Sequence, residues 1–268
     1  MEISSSLVAN VERFTGFAET YDRYRPQPPL VLLDILTQLA QVARPRLVVD
    51  LGSGTGLSAR IWAPRAEQVI GIEPNADMCR QAEARAAANV RYQPGYSHAT
   101  GLPDACAEIV TAVQALHWME PEPTFAEVAR IVRSGGVFAA IDCDWPPTLD
   151  WQAEMLYAEF DARVNQIGKA RGLFPGVKHL DKAGHLARMQ ASGRFRYVKE
   201  LLVHHGETGN AERLVGLALS QGGVAQVLRR GISAAEIGLP EFRAAAHRLL
   251  GDLETAWYFS YRVRVGII

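Results

Sequence analysis

The sequence predicts an α/β protein with a doubly wound, mostly parallel sheet. Three observations carry that prediction. Short apolar strands alternate with helix-period segments through the first half of the 268-residue chain. The first strand runs into three glycines at alternate positions, Gly52, Gly54 and Gly56. The second ends in a carboxylate, Glu73, 21 positions beyond Gly52.

Val48-Val49-Asp50-Leu51 reads as a buried parallel strand, because its β-branched residues suit a sheet covered on both faces. Gly52-Ser53-Gly54-Thr55-Gly56 follows as a turn that side chains would block, and Leu57–Trp62 can open a helix. Strand, glycine turn and helix form a nucleotide-type site, since a ligand can approach bare backbone N–H groups there. A dinucleotide fingerprint needs its third glycine at the sixth position of the motif, where this chain has Leu57. A P-loop needs a lysine at its end, and none is present.

Val69–Ile72 is the second strand, and Glu73-Pro74 closes it. A carboxylate there can accept hydrogen bonds from both hydroxyls of a ribose. Asn75 is placed to cap a helix over about 76–88. Met78, on its first turn, serves either as a surface for a base or as core filler.

A short third strand is expected at Val90-Arg91-Tyr92, followed by a loop from Gly95 to Asp104 that contains Ser97 and His98. Ile109–Val113 makes the fourth strand, and Gln114 falls at its carboxyl end, where open α/β sheets bind ligands. His117-Trp118 comes next. Phe125–Val132 has helical periodicity, Ser134-Gly135-Gly136 breaks it, and Val137–Asp142 is the fifth strand.

The run Asp50-x-Gly52-x-Gly54-x-Gly56 resembles motif I of the class I S-adenosylmethionine-dependent methyltransferases. Ordered likenesses continue over about residues 13–145, and the kind approached is the type-11 small-molecule methyltransferases. Arg130 through Gly136 is similar to that family's Arg-x-Leu-x-x-Gly-Gly segment, with Val132 in the leucine position. Phe14–Pro26 looks like the family's head segment, and the resemblance implies that Tyr21 and Arg25 approach the cofactor. It further implies that Ser53, Thr55, Pro74, Met78, Ser97, His98 and Gln114 join the glycines, Asp50 and Glu73 around S-adenosylmethionine. The chain departs from the family at His98, which stands where an acid is usual. Adenine recognition would then rest on backbone groups or Ser97, and His98 can equally be an exposed loop residue.

The second half changes character after Asp142-Cys143-Asp144-Trp145-Pro146-Pro147. Helices are expected over about 149–190 and 210–255. A sixth strand is expected near 195–204, and Trp257–Ile267 alternates as a last strand. The resemblance implies a Rossmann-like seven-stranded sheet with this last strand antiparallel between the fifth and sixth. It also implies a core with an amino-terminal cap over 1–145, a helical lid insertion over 146–194, and a region over 195–268 carrying the last two strands and a second helical insertion.

A net charge of −1 supplies no general attraction to nucleic acid or an anionic membrane. Neither is expected as a partner, and the oligomeric state is not readable. The 24 arginines against four lysines reflect composition rather than a binding patch. Cys79, Cys106 and Cys143 lack metal or disulfide spacing, which points to a reducing, cytoplasmic setting. The first six residues lack the features of a secretory leader, and no apolar run is long enough to span a membrane.

A sulfonium methyl is already activated, so its transfer mainly requires in-line placement of an acceptor. His117 is the candidate base, with a pocket wall as the alternative role. Asp144, Tyr21, His204 and His205 rank below it. Arg262 and Arg264 alternate on the last strand, either solvated or paired with an acceptor carboxylate. No Asn-Pro-Pro-Tyr segment of the amino-group methylases occurs, which favours a small-molecule acceptor. A protein that binds S-adenosylmethionine without methyl transfer is the alternative. A nicotinamide oxidoreductase ranks lower because of Leu57.

Overall fold

The computed structural model describes residues 4–268; Met1–Ile3, part of the terminus read above for a leader, lie outside the described residues. In chain order the elements begin with α1 (Ser5–Glu12), α2 (Ala18–Tyr24), α3 (Val31–Leu39), β1 (Leu47–Leu51) and α4 (Leu57–Ile61). They continue with β2 (Gln68–Ile72), α5 (Ala76–Glu83), β3 (Val90–Gln93), β4 (Ala107–Val113), α6 (Pro121–Ile131) and β5 (Val132–Cys143). The second half holds α7 (Trp151–Ala170), α8 (His185–Ala191), β6 (Tyr197–Gly209), α9 (Ala211–Leu219), α10 (Gly222–Arg229), α11 (Leu239–Leu250) and β7 (Thr255–Ile267).

The chain divides into two compact units. A sheet unit comprises residues 27–143, 178–203 and 261–268. A helical unit comprises the residues up to Pro26 together with 144–177 and 204–260. β6 and β7 contribute residues to both.

The seven strands lie in the order β3-β2-β1-β4-β5-β7-β6. β1 pairs in parallel with β2 and β4, and β3 and β5 extend the parallel run on either side. β7 pairs antiparallel with β5, setting Arg264 opposite Ala140 and Arg262 opposite Asp142. The antiparallel last strand between the fifth and sixth is the arrangement expected above. Reversal of order at β1 and β4 opens a crevice at their carboxyl ends, the usual ligand position in such sheets.

Burial explains why these segments are strands. Val48, Val49, Leu51, Ile109, Val110, Val137 and Phe138 are wholly buried, as a sheet covered on both faces requires. Phe138 stacks on Phe195 at 5.8 Å and meets Phe125 edge-on at 6.0 Å. Two expectations shift. The helix after Asn75 ends at Glu83 rather than near 88. β5 starts at Val132 rather than beyond the glycines, because Gly135 takes φ +76° and lets the strand bulge instead of break. Its pairing with β4 accordingly jumps from Val132↔Ala107 to Val137↔Ile109.

Within the helical unit, Phe160 of α7 stacks on Phe242 of α11 at 4.4 Å. Trp257 is wholly buried, and any side chain at Gly209 would run into its indole. α7 is capped by Asp150, whose carboxylate accepts from the N–H groups of Gln152 and Ala153. Among the described residues, no helix is long and apolar enough to cross a membrane.

Candidate functional site

The site begins where β1 turns into α4. Asp50 is buried, and its carboxylate accepts from Ser58 Oγ at 2.5 Å and Thr111 Oγ1 at 2.7 Å. Burial pushes its pKa up to about 6, against the pull of those two hydroxyls. Asp50 therefore ties β1 to α4 and β4.

The amides of Gly52 and Ser53 both donate to the Ile72 carbonyl, at 2.8 and 3.2 Å, which pins the loop to the end of β2. The glycines have different reasons to be there. A Cβ on Gly52 would stand 2.8 Å from the Ala115 methyl, and one on Gly56 would overlap the Tyr92 ring. Gly54 has φ +55° and faces open space, with nothing within 4 Å of an added Cβ. This is where a ligand can lie against the chain. Ser53 Oγ and Thr55 Oγ1 are buried beside it without a hydrogen-bond partner.

Glu73 reaches back to this loop. Its Oε2 accepts from Gly54 N–H at 2.9 Å and its Oε1 from Asn75 N–H at 2.8 Å. Each oxygen keeps a further lone pair for an incoming hydroxyl. Burial raises its pKa to about 7; the two amides oppose that shift and the nearby Asp50 charge adds to it. Asn75 caps α5 as expected, accepting from Asp77 and Met78 N–H. Pro74 is half-buried, and Met78 is buried at 2 % exposure.

The loop after β3 is held from α6. Ser97 Oγ lies 2.8 Å from Thr124 Oγ1, and Glu127 Oε1 accepts from the amide and hydroxyl of Thr100. Sequence reading missed Thr124 and Glu127, because nothing local in α6 marks a residue whose partner lies 27 positions earlier. His98 is half-buried, its ring 5.6 Å from Tyr96. Gln114 follows β4 with φ +53°. Its amide donates to the Cys143 carbonyl at 3.2 Å and accepts from Lys182 Nζ at 2.6 Å.

At the same strand ends stands a cluster invisible in the linear sequence. His117 is buried, and its Nδ1 lies 3.3 Å from Asp142 Oδ1, an approach without hydrogen-bond alignment. Lys182 Nζ lies 3.5 Å from the same oxygen. Asp142 Oδ2 takes Arg264 Nη1 at 2.8 Å and has His185 Nε2 at 3.8 Å. Arg264 is itself buried at 1 % exposure and also donates to Glu200 at 2.7 Å. The His117 ring packs 4.9 Å from Trp118 and 5.0 Å from His179.

Burial lowers the His117 pKa to about 4, outweighing the Asp142 carboxylate, and Lys182 adds to the lowering. Burial also takes His185 to about 4, again against Asp142. Burial by itself would raise the Asp142 carboxyl, yet His117, Lys182 and His185 hold it below the usual carboxylate range. Both rings are thus uncharged and Asp142 is ionised at neutral pH. His117 does not titrate in the ordinary histidine range.

Tyr21, Arg25, Asp144, His204 and His205 fall in the helical unit. Arg25 donates to the Ser220 carbonyl at 3.0 Å and to Gln221 at 2.7 Å, with its guanidinium 5.0 Å from the Tyr21 ring. Asp144 N–H bonds to the Ser260 carbonyl, His204 stands 3.0 Å from Ser260 Oγ, and His205 faces Glu207 at 3.4 Å. The last strand's arginines divide: Arg262 is exposed and Arg264 is buried.

Residues 49–140 match the family described as Methyltransferase domain. The Saccharomyces cerevisiae protein named "Probable S-adenosylmethionine-dependent methyltransferase CRG1" is 30% identical over 157 residues, which is 56% of this chain and 53% of that one. The Mycobacterium bovis protein named "Uncharacterized methyltransferase Mb3374" is 30% identical over 142 residues, 53% of this chain and 56% of that one. The chain spans about half the length of the curated relatives it matches. Among solved structures, a protein from Anaeromyxobacter dehalogenans named after the type II methyltransferases superposes with a TM-score of 0.61 at 24% identity, over 91% of this chain and 98% of that one. Glycines open to a ligand at Gly54, buried hydroxyls beside them and a ribose-type acid at Glu73 fit S-adenosylmethionine. In its matched domain, its strand order and its relatives, the chain is similar to the class I S-adenosylmethionine-dependent methyltransferases.

Proposed function

We propose that this chain transfers the methyl group of S-adenosylmethionine to a small-molecule acceptor by in-line displacement. The observation that carries the reading is Gly54, in a left-handed conformation with open space where a side chain would stand and with the Glu73 carboxylate bound to its amide. When bound, the cofactor supplies a sulfonium-activated methyl. The glycine loop and Glu73 hold the ribose and methionine parts. Asp50 acts indirectly, by keeping β1 and α4 in place. Ser97 and the loop amides around it serve the adenine. Tyr21 and Arg25 are assigned to the cofactor on the family resemblance.

His117 sits at the carboxyl end of β4, on the acceptor side. With a pKa near 4 it holds a proton too weakly to act as a strong base. It therefore walls and orients the acceptor, and an acceptor that arrives ionised needs no base. His117→Gln is expected to lower turnover no more than about tenfold, with S-adenosylmethionine affinity unchanged. At saturating S-adenosylmethionine the rate should stay flat as pH falls from 8 to 6. A loss of about 10²-fold or more, or a rate falling through the ordinary histidine range, would return the base role to His117.

Cofactor identity is tested by thermal shift and calorimetry. S-adenosylmethionine and S-adenosylhomocysteine should raise the melting temperature by several degrees at about 100 times their Kd, because a ligand of the native state stabilises by mass action. NAD and NADP should leave it unchanged. An acceptor screen scored by S-adenosylhomocysteine release then tests transfer itself. Binding with no release on any acceptor would favour a protein that holds the cofactor for another purpose.

A further inference from the structure

Three buried polar atoms without a hydrogen-bond partner face one another: His117 Nδ1, Asp142 Oδ1 and His185 Nε2. One ligand atom from each of these residues lies within 4.8 Å of the others. Such atoms normally find partners, so three that converge call for a shared one. We propose that His117, Asp142 and His185 form a binding site for a divalent first-row transition-metal ion of the zinc or ferrous class. Two imidazoles and one carboxylate are the donor set that such ions select, with positions left open for water or an acceptor oxygen. The proposal rests on this cluster and does not depend on the methyl-transfer reading.

The surroundings allow the charge. Arg264 is matched by Glu200 at 2.7 Å while it holds Asp142 Oδ2, which leaves Oδ1 for the ion. Lys182 is the one ammonium within 4 Å of Oδ1 among the described residues, at 3.5 Å, and its side chain is 28% exposed. It can swing outward as an ion enters. Asp142 with a divalent ion then has the net single positive charge of an ordinary two-histidine, one-carboxylate site. The imidazoles are uncharged and the carboxylate ionised, the forms that bind metal.

His185 sets a second condition. Its Nδ1 lies 3.1 Å from the Arg188 guanidinium, which can only donate, so the ring proton sits on Nε2 when no ion is bound. Metal binding moves that proton to Nδ1, and Arg188 keeps its bond to the Asp181 carbonyl at 2.7 Å. The site thus exchanges Lys182, and one contact of Arg188, for the ion.

The test uses the full chain after chelator treatment, dialysed against Zn²⁺ or Co²⁺ and assayed for bound metal. One ion per chain is expected, and the Co²⁺ form should show visible d–d absorption. His185→Gln should weaken binding by about 10²-fold and abolish that spectrum. Lys182→Met removes the competing ammonium and should tighten binding by about tenfold. Its side chain is partly exposed, so this variant should fold even if His185→Gln does not. No stoichiometric metal in wild type and Lys182→Met alike, or equal affinity in wild type and His185→Gln, overturns the site. Calorimetry with S-adenosylhomocysteine on the same samples reports the cofactor reading separately.

Discussion

Replacing Arg264 with methionine is expected to cost about 3–5 kcal/mol of folding stability, the loss typical of one partner removed from a buried ion pair. Arg264 is 1 % exposed and donates to both Asp142 and Glu200. Methionine fills much of its volume but leaves Asp142 ionised, buried and facing only Lys182 and two uncharged histidines. Equilibrium urea unfolding measures the loss. The double variant Arg264→Met/Asp142→Asn should recover part of it, because the uncompensated charge is gone. A single variant within about 0.5 kcal/mol of wild type would show that Asp142 is solvated or neutral. Arg262, exposed one pleat earlier, serves as the control, and Arg262→Met should fall within about 0.5 kcal/mol of wild type.

Glu73→Ala should weaken S-adenosylmethionine binding by about 2–3 kcal/mol, near the top of the range for charged hydrogen bonds. The loss is large because two roles go together, the ribose contacts and the bond that holds the Gly54 amide. The carboxyl titrates at about 7 in the ligand-free protein, and ribose hydroxyls bind its ionised form. Binding must therefore expel a proton below that pH. Affinity is expected to fall as pH drops from 8 to 6, approaching tenfold per unit at the acid end, and to level off above 8. In Glu73→Gln the slope should vanish.

Stability has its own sign. Between about 4.5 and 7 the folded carboxyl keeps a proton that the unfolded chain has lost, so Glu73 lowers stability as pH rises through that window. Glu73→Gln should flatten the decline. An affinity that does not change with pH in wild type, or the same slope in Glu73→Gln, removes Glu73 from the ribose.

Much of the sheet was legible in the chain. Buried parallel strands are short, apolar and β-branched, and this local signal located β1, β2, β4 and β5 within a few residues. The glycine loop, Glu73 and the Asn75 cap were legible for the same reason. Each depends on backbone geometry set within a few positions, and Gly54 and Gly56 bear positive φ as the motif requires. The helix after Asn75 was read too long, since periodicity alone does not show where tertiary packing stops. The bulge at Gly135 was read as a break, because a glycine pair signals a turn and a strand irregularity in the same way.

The second site was not legible. Asp142 stood at the end of the fifth strand, Lys182 and His185 lay unmarked in a stretch expected to be helical, and Arg264 was one of two alternating arginines. They converge because β7 lies antiparallel beside β5 and the segment around His185 packs with the sheet. By itself, the sequence determined where the chain is extended, where it turns and where glycine leaves the backbone bare, since those depend on neighbours a few residues apart. Only the tertiary structure decided which charges are buried together, and hence that burial pushes the His117 pKa down and that Arg264 is paired with Asp142 in the interior. Desolvation and Coulomb energy depend on distance in space, and these partners lie up to 147 positions apart in the chain.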